Sequence, residues 1–152
     1  DEVIEDIVRA ARVIASTKEV TVDDALTVRS ASFDGDEELI HRMIGNLIDN
    51  AIRHAPPRSA VRVNLERSAS GYMIAVRDDG PGVSDEIRPY IFERLFRGDA
   101  SRQRGSNPPG GAGLGLALAR WIARSHGGDV DLVRSDEAGS TFVITLPSKN
   151  EP

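Results

Sequence analysis

The chain has 152 residues, with 19 Lys+Arg against 24 Asp+Glu and a net charge of −5. That length suits one domain with a sizeable core, roughly 68–70% of the unfolded surface leaving water on folding. The acidic balance argues against a nucleic-acid partner, and the absence of cysteine excludes disulfides and thiolate metal sites. Three histidines leave little for a histidine-rich metal centre. No apolar run approaches the ~18 residues of a membrane helix, and no secretory leader opens the sequence. The expectation is a reduced-compartment domain and, since the chain opens on Asp1 rather than Met, a piece of a longer protein. The basic residues are 17 Arg and 2 Lys, a skew that reads as a GC-rich genome rather than as chemistry.

In chain order, Val3, Ile7, Ala10, Ala11 and Ile14 stand at helical spacing and predict an amphipathic helix over 2–14. Residues 20–25 and 30–33 read as two strands, closed by the turn pair Asp34 and Gly35. Asp36 is placed to cap a long helix, with Glu37 and Glu38 at the positive end of its dipole. That helix runs to about Ala55, where Pro56 and Pro57 end it. Val61, Val63 and Leu65 alternate with polar residues, and after Ser70-Gly71 the residues Tyr72, Ile74 and Val76 do the same. Ten of the 14 glycines fall between Gly80 and Gly128, with Pro81, Pro89, Pro108 and Pro109, so this stretch is predicted loop-rich. A helix over 114–125 follows, capped by His126-Gly127-Gly128. A hairpin of 130–134 and 141–146 turns around 137–139, and 148–152 are expected to fray. The order predicts an α+β fold, with helices layered on one face of a mixed sheet.

Three segments carry chemistry. On the long helix, Asn46, Asn50, Arg53 and His54 share one face, while Ile44, Leu47, Ile48, Ala51 and Ile52 fill much of the rest. A solvated stripe is the plain reading. Asparagine, however, brings no helical benefit, and its amide oxygen is a neutral, hard ligand suited to Mg²⁺. An arginine one turn on can meet a phosphate. Asp78-Asp79-Gly80-Pro81-Gly82 follows a strand directly. It reads as a tight turn, or as close backbone approach to a flat ligand beside a carboxylate that accepts from an adenine-like amine. Gly110-Gly111-Ala112-Gly113-Leu114-Gly115-Leu116 enters a helix, where free N–H groups and the dipole suit phosphates. It is no P-loop, since no Lys-Ser/Thr pair follows, and no Rossmann fingerprint, since no strand immediately precedes it.

Together and in this order, the three segments resemble the ATP-binding domain of bacterial sensor histidine kinases. That domain belongs to a superfamily shared with gyrase, the mismatch-repair protein MutL and the large heat-shock ATPase chaperone. The resemblance spans about 36–147. Asn46-Leu47-Ile48-Asp49-Asn50-Ala51 with Arg53-His54 is similar to the family's N box, and Asp78-x-Gly80-x-Gly82 to its first glycine box. Phe92-Glu93-Arg94-Leu95-Phe96-Arg97 resembles the F box, and Gly111-x-Gly113-Leu114-Gly115-Leu116 the second glycine box. His126-Gly127-Gly128 and Gly139-Ser140-Thr141-Phe142 match the closing strands.

The resemblance implies a two-layer α/β sandwich of the Bergerat type, one domain over 1–152, with a flexible ATP lid at about 97–112. It also implies ATP and Mg²⁺ as cofactors. Asn50 would be the metal ligand, with Asn46 beside it and Arg53 at the phosphates, these three forming the catalytic set. His54 would line the nucleoside or lid side, and Asp78 would accept from the adenine amine over a floor of Gly80 and Gly82. Gly111, Gly113 and Gly115, with Leu114 and Leu116, would close over the phosphates, and Arg97 and Thr141 complete the ligand set. For Arg97, Arg102 and Arg104, phosphate contact and loop solubility both stay open. Arg94 stands where the family more often has Pro and is read as surface.

The choice of reaction turns on one position. Four residues before the metal asparagine, the superfamily's hydrolysing members and serine kinases carry a glutamate as general base. Water and hydroxyl nucleophiles need their proton taken. Here the position is Asn46, and a neutral imidazole acceptor makes no such demand. The implied function is a histidine kinase that passes the γ-phosphoryl group to a histidine on a separate dimerisation and phosphoacceptor domain, which feeds a response regulator. His41, His54 and His126 lack the acceptor pattern, so the chain alone is not expected to phosphorylate itself. The parent is expected to be a homodimer anchored in the inner or plasma membrane, with this domain in the cytoplasm. A clamp-type ATPase and an anti-sigma-type serine kinase are the alternatives, and Asn46 counts against both.

Overall fold

The computed structural model describes residues 1–94 and 114–148. Its helices are α1 (Glu2–Ser16), α2 (Glu37–His54) and α3 (Gly115–Ser125), with a 3-10 turn at Arg88–Tyr90. The strands are β1 (Thr21–Leu26), β2 (Ala60–Ser68), β3 (Gly71–Asp78), β4 (Asp129–Asp136) and β5 (Gly139–Pro147). They form one sheet in the order β1-β2-β3-β5-β4, with β1 parallel to β2 and every other pairing antiparallel.

Alternation decides which face is covered. Val61, Val63 and Leu65 of β2, Tyr72, Ile74 and Val76 of β3, and Phe142, Ile144 and Leu146 of β5 are all buried. Against them pack Ile4, Ile7 and Val8 of α1, Met43, Ile44, Leu47, Ile48 and Ile52 of α2, and Ile122 of α3. One layer of sheet and one of helices result, as the α+β expectation requires.

The helix ends follow from local chemistry. Asp36 accepts from Leu39 N–H at 3.0 Å, which satisfies one of the free donors at the start of α2. Pro56 and Pro57 stop the helix after His54. At the end of α3, Gly128 N–H donates to Ala123 C=O and Gly127 N–H to Arg124 C=O, with Gly127 at φ +79°, a Schellman cap.

The second expected strand, 30–33, does not form. After Thr27 N–H donates to Leu65 C=O, the chain leaves the sheet, and Ser30 takes a left-handed φ of 62°. Ala31 and Phe33 pack on the core as irregular chain, and Phe33 lies 5.9 Å from the His126 ring. Their apolar alternation reflects packing at the start of α2 rather than strand pairing.

Two features carry testable energies. Gly139 has φ +136°, and a Cβ there would run into the carbonyl oxygen of Asp78. Gly139→Ala should therefore lose about 1–3 kcal/mol or more of stability, read from urea unfolding. Asp129 ties α3 to β4, accepting from Arg120 at 3.0 Å, Arg124 at 3.1 Å and its neighbour Val130 N–H at 2.8 Å. Partial burial works against this carboxylate, yet the two arginines and the N–H outweigh it and hold its pKa down at about 2. A depressed folded pKa means stability present above the ordinary value of 3.8 and lost as pH falls through about 2. The melting temperatures of wild type and Asp129→Asn should accordingly converge as the pH drops from 4 towards 2, by a modest amount because the site is part-exposed.

Candidate functional site

The period-2 face of β3 that buries Ile74 and Val76 ends on Asp78, which is 2% exposed. Its Oδ1 accepts from Gly80 N–H at 2.8 Å, and the N–H of Ser140, its register partner on β5, also donates to the carboxylate. Burial pushes this carboxyl above its usual 3.8, and Asp79 adds to the rise. The Gly80 N–H, nearby His54 and the Ser140 N–H pull the other way without cancelling it. Asp79 is employed differently: it accepts from Arg62 at 3.1 Å and from Ala60 N–H at 3.3 Å, fastening the loop to β2. The two adjacent carboxylates thus divide into one structural tie and one buried acceptor at the end of a strand.

The loop glycines are set by close packing. A Cβ on Gly80 would sit 2.7 Å from the carbonyl oxygen of His54, the last residue of α2. Gly82 has φ +77°, and its Cβ position is taken by the Asp136 carbonyl. Ser135 Oγ accepts from Val83 N–H at 2.6 Å, so β4 pins the far end of the loop. Gly80 and Gly82 therefore let the loop lie flat between α2 and β4.

Asn46 and Asn50 are half-buried on α2, while Arg53 and His54 are exposed at its end. Asn46 Nδ2 donates to Gly115 C=O at 3.2 Å, and a Cβ on Gly115 would reach the Asn46 side chain at 4.0 Å. This bond joins the polar face of α2 to the first turn of α3. Leu114 sits at the N-terminus of α3 and accepts from Leu118 N–H at 2.8 Å, while Leu116 packs partly on the core. Although the residue is exposed overall, the neighbouring chain strips enough water from the His54 ring to disfavour its charge; Asp78 opposes that, and the cations Arg53 and Lys18 add to it. The net effect keeps His54 more neutral than an ordinary histidine. Asp49 is exposed overall, but partial loss of water on the side facing the protein raises its carboxyl, and Arg53 partly restores it.

The structure thus sets Asn46, Asn50, His54, Asp78, Gly80 and Gly115 along the C-terminal half of α2. It does not bring Thr141 to Asp78. Thr141 pairs with Arg77, on the face of the sheet opposite that of Asp78. Ser140, 5% exposed, is the β5 residue beside Asp78, and the sequence pattern held a signal for it. Phe142 is a core residue, so period 2 puts Ser140, not Thr141, on its side. Arg94 is exposed, and Phe92 is anchored edge-on to Phe142 at 6.1 Å under the Arg120 guanidinium at 4.4 Å. Arg97, Gly111, Gly113 and the whole of the expected lid at about 97–112 lie outside the described residues. An apolar cavity of about 200 Å³ between α1 and the start of α2 shares no residue with this group.

Several known proteins are similar to this chain. The sensor-like histidine kinase SenX3 of Mycolicibacterium smegmatis is 33% identical over 153 residues, covering all of this chain and 38% of that protein. SenX3 of Mycobacterium tuberculosis is 39% identical over 114 residues, 75% of this chain and 27% of that protein. The chain therefore spans between 27% and 38% of the length of these curated relatives. Among solved structures, the mycobacterial sensor histidine kinase MprB matches with a TM-score of 0.75 at 29% identity, over 96% of this chain and 93% of that one. Full-length ShkA in complex with AMPPNP shares the fold, with a TM-score of 0.80 at 22% identity over 97% of this chain and 30% of that one. The model of the histidine kinase-, DNA gyrase B-, and HSP90-like ATPases matches residues 35–150, and the chain belongs to that family.

Proposed function

We propose that this chain binds Mg-ATP and donates the γ-phosphoryl group to a histidine on a separate dimerisation and phosphoacceptor domain of a longer sensor kinase, which then feeds a response regulator. The parent is read as a membrane-anchored homodimer with this domain on its cytoplasmic side. The observation that carries the nucleotide reading is Asp78: a buried carboxylate, held by two backbone N–H groups, beside the polar face of α2.

The residues fit the nucleotide and its ion. Asp78 supplies an acceptor for the adenine amine, in a place dry enough for one hydrogen bond to discriminate. Ser140 brings a hydroxyl to the same corner. His54, biased towards neutrality, adds a ring that does not attract phosphate away from Arg53. Asn50 would hold Mg²⁺ through its amide oxygen, leaving the other positions to phosphate and water, as this ion prefers. Among the described residues no cluster of three His, Asp or Glu competes for that task. When bound, Mg²⁺ neutralises and aligns the phosphate oxygens.

Asn46 decides the acceptor. Its amide cannot take a proton, and Gly115 C=O engages its nitrogen, so it serves as a strut between α2 and α3. No base is then offered to water or a hydroxyl from this position. An acceptor imidazole needs none: its ring lone pair forms the N–P bond while the bond from γ-phosphorus to the bridging oxygen breaks. ADP leaves with that electron pair, and the second ring nitrogen releases its proton to solvent. This chain's part is orientation and charge balance.

The test follows γ-labelled ATP with Mg²⁺ on this chain, alone and with the parent's histidine domain added. Alone, the label should remain in bound, intact ATP; with the domain added, it should appear on protein as an acid-labile phosphohistidine. Rapid release of inorganic phosphate from the chain alone would make it an ATPase instead.

A further inference from the structure

Lys18, on the turn between α1 and β1, reaches across to the end of α2. Its ammonium donates to Ile52 C=O at 2.8 Å and to Arg53 C=O at 3.1 Å. In a continuing helix these two carbonyls would accept from the N–H groups four residues on, at positions 56 and 57. Both of those residues are proline and have no N–H to give. The preceding carbonyl, Ala51, has its normal partner in Ala55 N–H at 2.9 Å. Lys18 therefore supplies the two donors that the proline pair withholds, and does so with a cation at the negative end of the helix dipole.

The lysine is held in place for this. Lys18 N–H and Val20 N–H both donate to Ala15 C=O at 3.0 Å, closing the turn after α1. Arg58 N–H donates to Glu19 C=O at 2.8 Å, with both residues left-handed at φ 62° and 57°. Thr21 N–H donates to Ser59 C=O at 3.1 Å. The turn after α1 and the turn after α2 are thereby tied to each other, with Lys18 between them. The helical turn it clasps carries Arg53 and His54, and the His54 carbonyl packs against Gly80.

We infer that Lys18 is a positioning residue for the nucleotide phosphates: it fixes the last turn of α2 so that the Arg53 side chain starts from a set backbone. The inference rests on the Mg-ATP reading above. Dissociation constants for Mg-ATP and for adenosine test it, in wild type, Lys18→Met, Lys18→Arg, Arg53→Ala and the Lys18→Met/Arg53→Ala pair. Lys18→Met should weaken ATP by about 5–10-fold and leave adenosine within about twofold, while Lys18→Arg recovers most of the loss. In the Arg53→Ala background, Lys18→Met should add nothing, because there is no longer a side chain to position.

A merely structural lysine would weaken both ligands equally, or add its loss to that of Arg53→Ala, and either result overturns the inference. So does an Arg53→Ala variant that binds ATP like wild type. If wild type holds no ATP, the Mg-ATP reading falls and takes this one with it. If wild type binds, Arg53→Ala weakens ATP and Lys18→Met does not, only the role of Lys18 falls. Circular dichroism checks each fold, and Lys18→Gln, which keeps a neutral donor, replaces the methionine variant where that one does not fold.

Discussion

Asn50→Ala should leave a folded protein that has lost at least about 100-fold in the rate of phosphoryl transfer from Mg-ATP to the histidine domain. Asn50 is half-buried on α2 and is followed in sequence by Ala51 and Ile52, which are buried and keep the helix on the sheet. Alanine is the better helix former and Asn50 is not one of the buried core residues, so the substitution should leave the melting temperature unchanged or slightly raised. Whatever is lost is therefore chemistry. An amide oxygen on the ion is one ligand among several, so nucleotide affinity should fall less than the transfer rate. Initial rates of phosphohistidine formation against Mg²⁺ concentration separate the two. A rate within a few fold of wild type, at saturating Mg²⁺ and with the fold intact, would remove Asn50 from the proposed ion site.

Much of the scaffold was legible because its causes are local. The Asp36 cap, the Pro56-Pro57 stop and the glycine-ended α3 each depend on residues within one turn of the feature they produce. The strands on either side of Ser70-Gly71 were legible because one covered face imposes period 2. The segment 30–33 misled because Ala31 and Phe33 are apolar for a tertiary reason: Phe33 fills space beside His126 and Gly35, not a ladder position.

The site shows the same division. Asp78 could be singled out from its place after a strand and before two glycines, but not from Asp79. Only the fold shows that Asp79 spends its carboxylate on Arg62 and Ala60 while Asp78 is buried. Ser140 was within reach of the alternation rule once Phe142 was placed in the core, whereas the family motif drew attention to Thr141. Lys18 lies 34 residues from the carbonyl of Ile52 that it binds, and no short-range pattern connects them. In retrospect, the proline pair announces two carbonyls in need of a donor, though not where that donor comes from.

Asp78→Asn should separate function from stability in the opposite direction to most buried substitutions. Burial raises the Asp78 carboxyl above 3.8, so the folded state binds more protons than the unfolded state over the interval between the two pKa values. Stability then falls as pH rises through that interval, and at neutral pH the charged carboxylate is a standing cost to the fold. Asparagine carries no such charge, while its Oδ1 can still accept from Gly80 N–H. The variant should be at least as stable as wild type near pH 7, with its advantage shrinking as the pH is lowered through the raised pKa and vanishing near 3.8. Nucleotide binding should go the other way. On the proposed adenine contact, the amide would place an NH₂ where the adenine amine needs an acceptor, so two donors would face each other in a buried corner. Losing a hydrogen bond to a charged group there costs about 3 kcal/mol, or about 100-fold in the dissociation constant for ATP. Urea unfolding from pH 4 to 8, beside ATP titrations of both proteins, reads the two effects independently. A destabilised variant would make Asp78 a structural residue of the β3 end, and unchanged ATP affinity would take the adenine acceptor elsewhere. A more stable protein that no longer holds nucleotide is the signature of a carboxylate kept at the expense of the fold for the ligand it receives.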